Sequence, residues 1–274
     1  MAARLPRHRS VSASWARRFG VLSLPVLVIA ALGNRFGLLP IATVPPAIAL
    51  GYALALVALA FAVFALVGIW SSGDEGAGQA FAGFFFSLPA LILFAAAMTA
   101  LVLYPQLNDI STDVEDPPRF FAFDHPLPPP EDAERQVEAY PGLTARFYPL
   151  STDRVFAVAE ALVKDRGWRI EESYTPVAGE GIGSIEAVAR TLLFAFLDDV
   201  VIRVVPTTDG SIVDMRSASR IGEHDFGQNA RRIKEFLTNL DGVLQGTIEL
   251  QEPAVEEEEP DTFGPTPRPE PPSS

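Results

Sequence analysis

Five side chains in the C-terminal half have the types and spacing to grip an anion: Arg203, Asp214, Arg216, Arg220 and Asp199. Alternate residues of an extended strand share a face, so Asp214, Arg216 and Arg220 point to one side. Arg203, on a neighbouring strand, joins them, with Glu186 and Arg190 one strand further. Guanidinium groups gathered in this way offer planar forks of N–H donors that match a carboxylate or a phosphate. Two plainer arrangements use the same residues. One is a ladder of cross-strand ion pairs on a solvated face, each contributing less than about 1 kcal/mol. The other is a dock for acids from elsewhere in the chain. The residues alone leave all three open.

Asp198 and Asp199 are adjacent carboxylates, a residue type suited to acid–base or metal chemistry. Neighbours on a strand face opposite ways, so a shared site is awkward, and the pair is expected at the turn into a strand over Val200–Val205. The chain has no cysteine, which excludes disulfides, thiolate nucleophiles and Cys-ligated metals. It has three histidines, His8, His125 and His224, too few for a multi-histidine centre. Asp124-His125 and Glu223-His224-Asp225 read as loop polar residues, and no metal or cofactor is expected. Gly179-Glu-Gly-Ile-Gly-Ser184 lacks the Lys and the strand-to-helix setting of a phosphate loop and reads as a hairpin connection. No Gly-x-Ser-x-Gly elbow is present.

The elements that would position these groups follow from periodicity. Ser151-Thr152-Asp153 is a helix start with an acid in the first turn. Val155, Val158, Ala159, Leu162 and Val163 then recur at helical spacing, and Gly167 supplies a stop. Strands are expected at Trp168–Ser173, Ser184–Phe196, Val200–Val205 and Ser211–Ile221, with a turn at Thr207-Thr-Asp-Gly210. Phe226, Ala230, Ile233, Leu237 and Leu240 form a second helical stripe, closed by Gly242. This order predicts an α+β domain over about 148–250, a four-stranded antiparallel sheet with two helices on one face. Residues 251–274, with seven acids and one Arg among many prolines, have too little apolar surface to bury and are expected to be disordered.

The N-terminal part has a different character. Val44–Trp70 and Ala80–Tyr104 run 27 and 25 residues without a charged side chain, and about 20 suffice to cross a bilayer. Phe19–Gly33 is 15 apolar residues, extended to about Leu39 if Arg35 snorkels to the interface. The alternative of a cleaved signal peptide lacks a small-x-small site, so a three-helix transmembrane anchor over 1–107 is expected, with helices near 19–39, 44–70 and 80–104. Five arginines precede the first helix, which places the N-terminus in the cytoplasm and the rest of the chain beyond the membrane. Charge divides the same way. Residues 1–104 hold six Arg and two acids, net +4, while the remainder holds 15 basic and 32 acidic residues, net −17. An acidic domain does not suit nucleic acid. The expected partners are the lipid bilayer and an envelope protein or small anionic ligand.

Between anchor and domain lies a Pro-rich neck over 108–147, in which His125–Asp132, with four prolines, is expected as an extended loop. Asp109, Ser111, Thr112, Asp113, Asp116, Pro117 and Pro118 read first as a stiff spacer and, more sharply, as acids that dock onto the domain or line a site.

These residues carry a resemblance. Asn108-Asp-Ile-Ser-Thr-Asp113 with Asp116-Pro-Pro-Arg-Phe120, then Phe194-Ala-Phe-Leu-Asp-Asp-Val-Val-Ile-Arg203-Val204, then Val213-Asp-Met-Arg216-Ser217-Ala-Ser219-Arg220-Ile-Gly222 with Asp225, Gly227, Asn229 and Arg232, resemble the family catalogued as domain of unknown function 1499 (DUF1499). Several members look similar, with three membrane helices in front. The resemblance implies a bacterial inner-membrane protein with a periplasmic domain, and it supplies no activity. The reading is therefore a membrane-anchored binding module. The alternative is a membrane-bound hydrolase or lipid-modifying enzyme using Asp109, Asp113 or Asp198 with the arginine face.

Overall fold

The computed structural model describes residues 8–176 and 181–249. The acidic tail and part of the Gly-rich connection lie outside the described residues. Three helices, α1 (Val11–Arg35), α2 (Val44–Ser72) and α3 (Ala77–Leu103), are each long and apolar enough to cross a membrane. Helix α1 begins and ends earlier than its apolar run suggested. Ser10 caps it, its Oγ accepting from the Ala13 N–H at 3.3 Å, so Arg17 and Arg18 lie inside the helix. It stops at Arg35 because Gly37 turns left-handed at φ +66°.

Small residues face the bundle interior: Ala13, Ala16 and Gly20 of α1, Ala55, Ala58 and Ala62 of α2, Ala80 and Gly83 of α3. Leucine gains little by leaving lipid for protein, so close backbone approach is what holds such helices together. A Cβ on Gly20 would sit 2.4 Å from the Gly83 carbonyl oxygen. The larger Phe64, Val67 and Phe85 side chains point outward. The Ser10 N–H and the Glu75 N–H tie the start of α1 to the α2–α3 turn at one end of the bundle. The rest of the chain folds at the other end.

There the four expected strands are present, as β3 (Arg169–Tyr174), β4 (Gly183–Arg190), β5 (Leu197–Thr207) and β6 (Gly210–Ser219). Two short strands are added, β1 (Asp109–Ser111) and β2 (Arg146–Tyr148), both paired with the outer edge of β6. The sheet therefore has six strands rather than four, all pairs antiparallel, in the order β1-β6-β5-β4-β3. Strand β4 stops at Arg190, short of Phe196, because residues 191–196 form a turn. Ala195 takes φ 54° there, and Thr191 Oγ1 accepts from the Phe196 N–H at 2.9 Å. This turn sits earlier than expected, so Asp198 and Asp199 lie inside β5, in register with Ser219 and Ala218 of β6.

Helices α5 (Thr152–Asp165) and α6 (Gln228–Glu249) cover one face of the sheet, as expected. Val155, Phe156, Ala159 and Val163 of α5, with Ile233, Phe236, Leu237 and Leu240 of α6, pack on Ile185, Val200, Ile202 and Met215. Burying each such side chain contributes about 1.5–3 kcal/mol. Two details of α6 differ from expectation. Phe226 precedes the helix with φ 57°, and Gly242 lies within it, the apolar stripe running on to a buried Leu244. The loop expected at His125–Asp132 is present through Pro129, and a helix, α4 (Pro130–Ala139), begins two residues before its expected end, with Pro130 at a position where a missing N–H costs nothing.

Candidate functional site

The face opposite α5 and α6 is not solvated. Residues 109–126 fold back across it, and each of the three arginines is held by acids of the chain. Arg216 is fully buried and makes a two-point clamp on Asp109, Nε to Oδ1 at 2.9 Å and Nη2 to Oδ2 at 2.6 Å. It also donates to the carbonyls of Pro118 at 3.2 Å and Pro126 at 2.7 Å, and lies over the Phe120 ring at 5.0 Å. Arg203 reaches Asp116 Oδ2 at 2.9 Å, Asp113 Oδ2 at 3.0 Å and Asp214 Oδ2 at 3.1 Å. Arg220 forks onto Asp199, which also accepts or shares a proton with His125 Nε2 at 2.8 Å. Phe123 stacks on Arg220 at 5.0 Å.

Local chemistry explains why the neck takes this path. Asp109–Ser111 pairs with the edge of β6, bringing Ser111 opposite Arg216. Thr112 ends the pairing: its N–H donates to the Met215 carbonyl, and its Oγ1 accepts from the Met215 N–H at 2.9 Å. The Asp113 carboxylate then accepts from the Glu115 and Asp116 N–H groups, forming the turn that precedes Pro117-Pro118. The outer edge of β1 would leave unpaired backbone groups. Gln136 of α4 fills that place, its amide exchanging bonds with the Ser111 N–H at 2.9 Å and carbonyl at 2.6 Å.

An acid of β4 on this face has no basic side chain within ion-pair distance among the described residues. Glu186 is buried, and its carboxylate accepts the Phe121 N–H at 2.8 Å and the Ala122 N–H at 3.0 Å. Burial pushes its pKa up, the two N–H bonds offset part of that, and the nearby Glu172 and Asp199 charges raise it further. Burial also raises Asp214, against the pull of Arg203. Burial acts upward on Asp199 too, yet the hydrogen bonds from His125 and Arg220 bring it below the usual range. Arg220 is correspondingly raised by its bond to Asp199.

Asp198 faces the other way, as strand alternation requires, and ion-pairs with Arg232 of α6. Burial raises its pKa, partly countered by Arg232. Arg232 also donates to Ser217 Oγ at 2.8 Å, and Asn229 bonds Ser217, Ser219 and the Asn108 carbonyl. Asp225 caps α6, accepting from Gly227 and Asn229 N–H groups. Gly227, at φ +74°, leaves room for the Tyr104 ring, which an added Cβ would meet at 2.6 Å. His224 and His125 thus serve separate local bonds, and among the described residues no three His, Asp or Glu side chains group to hold a metal.

Asp109, Asp113, Asp116, Asp199, Arg203, Asp214, Arg216 and Arg220 therefore meet in one strap-and-sheet assembly, whereas Asp198 joins the helix side and Arg190 turns to the end of α1. Phe120, Phe123, Gln136 and Asn229 were not singled out by chemistry, being an aromatic or an amide within irregular or polar stretches. The sequence model of a family described as "Protein of unknown function (DUF1499)" matches residues 109–240, a range that begins at the clamp acid Asp109 and ends within α6. Comparison with curated proteins and with solved structures gives no match.

Proposed function

We propose, from the premise that the domain after the anchor belongs to the DUF1499 family, that this chain is a non-catalytic envelope module. Its three helices hold the α+β domain at the outer face of a bacterial inner membrane. There the domain binds a partner protein or a small anionic or lipid ligand. The single observation that carries this reading is the occupied arginine face. Asp109, Asp113 and Asp199, the acids an enzyme would use, are each engaged by Arg216, Arg203 or Arg220. Asp198 is engaged by Arg232. Asp199, held by Arg220 and His125, stays below the usual carboxylate range and is a poor base. The arrangement supports a closed scaffold better than a reaction centre, which sets the hydrolase reading second.

Orientation rests on the five arginines ahead of the apolar part of α1 and on three crossings between them and Asp109. A C-terminal fusion to a phosphatase that matures only outside the cytoplasm is expected to be active. An inactive phosphatase with a fluorescent cytoplasmic reporter at the same position overturns the periplasmic placement. The full chain, screened against ester, phosphoester and glycoside substrates, is expected to show no turnover. Turnover abolished by Asp199→Ala or Arg203→Ala would establish the enzyme instead.

A further inference from the structure

We propose that the cavity between the α5–β3 turn and the end of β4 binds the phosphate of a membrane phospholipid headgroup. This rests on the membrane-anchored reading above, though not on which side the domain faces.

The level of the cavity is fixed by contacts between domain and anchor. The turn at 191–196 lies against the end of α1. Asn34 Nδ2 donates to the Phe194 carbonyl at 2.7 Å, and Arg35 Nη2 donates to the Leu192 carbonyl at 3.1 Å. The Phe194 ring packs against the cluster of Leu27, Ala55 and Ala90 inside the helix bundle. Leu192 and Leu193 beside it are 85% and 56% exposed. Two adjacent exposed leucines at the end of membrane-crossing helices sit where hydrocarbon meets headgroups. The charged end of α1, Arg35, marks the same boundary.

Arg190 ties the cavity to that boundary, its Nη1 donating to the Arg35 carbonyl at 3.2 Å. The cavity, about 340 Å³, is lined by Arg166, Gly167, Trp168, Arg169, Val188 and Arg190. That volume lies in the ~300–1,000 Å³ range of small-molecule sites. Three of the lining residues are arginines, in a domain whose overall charge is strongly negative. Arg169 pairs with Glu171 at 2.6 Å, but neither Arg166, Arg190 nor Arg35 has a carboxylate within ion-pair distance among the described residues. Arg166 lies over the Trp168 and Phe236 rings at 5.4 and 5.6 Å, and its Nε is buried without a hydrogen-bond partner. Arg203, Arg216 and Arg220 on the strapped face each have their acid, whereas Arg166 and Arg190 have none within ion-pair distance among the described residues. A pocket with two arginines free of direct ion pairs among the described residues, at headgroup height and lined by a tryptophan, fits a phosphodiester bidentately.

The test uses the full chain in maltoside micelles, with Trp15→Phe and Trp70→Phe so that Trp168 remains the sole tryptophan. It is titrated with dihexanoyl phosphatidylglycerol, dihexanoyl phosphatidylcholine and inorganic phosphate. Both short-chain phospholipids are expected to change Trp168 emission saturably. Arg166→Gln and Arg190→Gln should each weaken that binding about tenfold or more, and Arg154→Gln, a charge change elsewhere on α5, should not. Equal saturation by inorganic phosphate overturns the lipid assignment in favour of a free-anion site. A flat titration, or one that survives both glutamine variants in folded protein, overturns the site. A reporter showing the domain in the cytoplasm would sink the periplasmic reading and leave this titration standing, so the two failures are distinguishable.

Discussion

The Asp109–Arg216 clamp is the contact whose removal should cost most. Arg216 is fully buried, and Asp109 is 14% exposed. Asp109→Ala leaves a guanidinium out of reach of water with only the Pro118 and Pro126 carbonyls and the Phe120 ring beside it. Breaking a buried pair from one side costs about 3–5 kcal/mol, a large part of the ~5–15 kcal/mol that holds a domain together. With a urea slope near ~2 kcal/mol per molar, the midpoint should fall by about 1.5–2.5 M. The assay is urea unfolding of the full chain in micelles, followed through Trp168 in the Trp15→Phe, Trp70→Phe background, since the other two tryptophans lie in α1 and α2. The double variant Asp109→Ala, Arg216→Met removes the stranded charge as well. Its cost should fall short of the sum of the single variants by about 1–3 kcal/mol. If Asp109→Ala costs under ~1 kcal/mol, or the two changes add within ~0.5 kcal/mol, the clamp does not hold the strap and the reasoning fails.

The Glu186 carboxylate predicts a pH effect. Its folded-state pKa lies above the unfolded value, mainly through burial, so the folded state holds the extra proton in the window above the ordinary Glu range. Stability therefore falls as pH rises through that window, and Glu186→Gln should make the fall shallower; an unchanged slope of unfolding free energy against pH would exclude this role. Phe194→Ser should loosen the 191–196 turn from the bundle by about 1–2 kcal/mol. Limited proteolysis at Leu192–Leu193 is then expected to quicken roughly tenfold. Gly83→Leu should separate α1 from α3, where even a Cβ would fall 2.4 Å from the Ala16 carbonyl carbon; cross-linking between cysteines engineered at positions 13 and 80, which pack together across the same two helices, should drop sharply. Gly227→Val should strain the left-handed bend and displace Tyr104, lowering the thermal midpoint by several degrees, about 2–4 °C per kcal/mol for a domain near this size.

What the sequence made legible was periodic. The membrane helices, α5 and strands β3 to β6 each repeat apolar residues over six or more positions, and alternation puts Asp214 and Arg216 on one face, as the register has them. What it hid was coverage. Alternating charge on β5 and β6 looks the same whether water or another segment of chain lies over it. The neck acids that pair with Arg203 and Arg216 come from 87 to 107 residues away, a distance no local pattern spans. The strands β1 and β2 are three residues each, too short for any repeat to register. Helix α4 was obscured by prolines that begin helices as readily as they forbid them. The turn after Arg190 is hidden because Leu192, Leu193 and Phe194 carry the apolar character of a strand, while Phe194 packs on the helix bundle and the two leucines are exposed beside it.

The adjacency of the first strand to the last carries a consequence for biosynthesis. The segment leaving the bilayer at Asp109 finds its place only beside β6, and Asp109 and Arg216 are 107 residues apart. At about 5–20 residues per second of translation, that is roughly 5–20 s during which the emerging acids have no basic mate. Throughout that interval the nascent chain is tethered at one end by its lipid-embedded helices and cannot close its sheet. Assembly must await near-complete synthesis, so a ribosome stalled before Arg216 would leave an unfinished, protease-accessible chain hanging from the membrane.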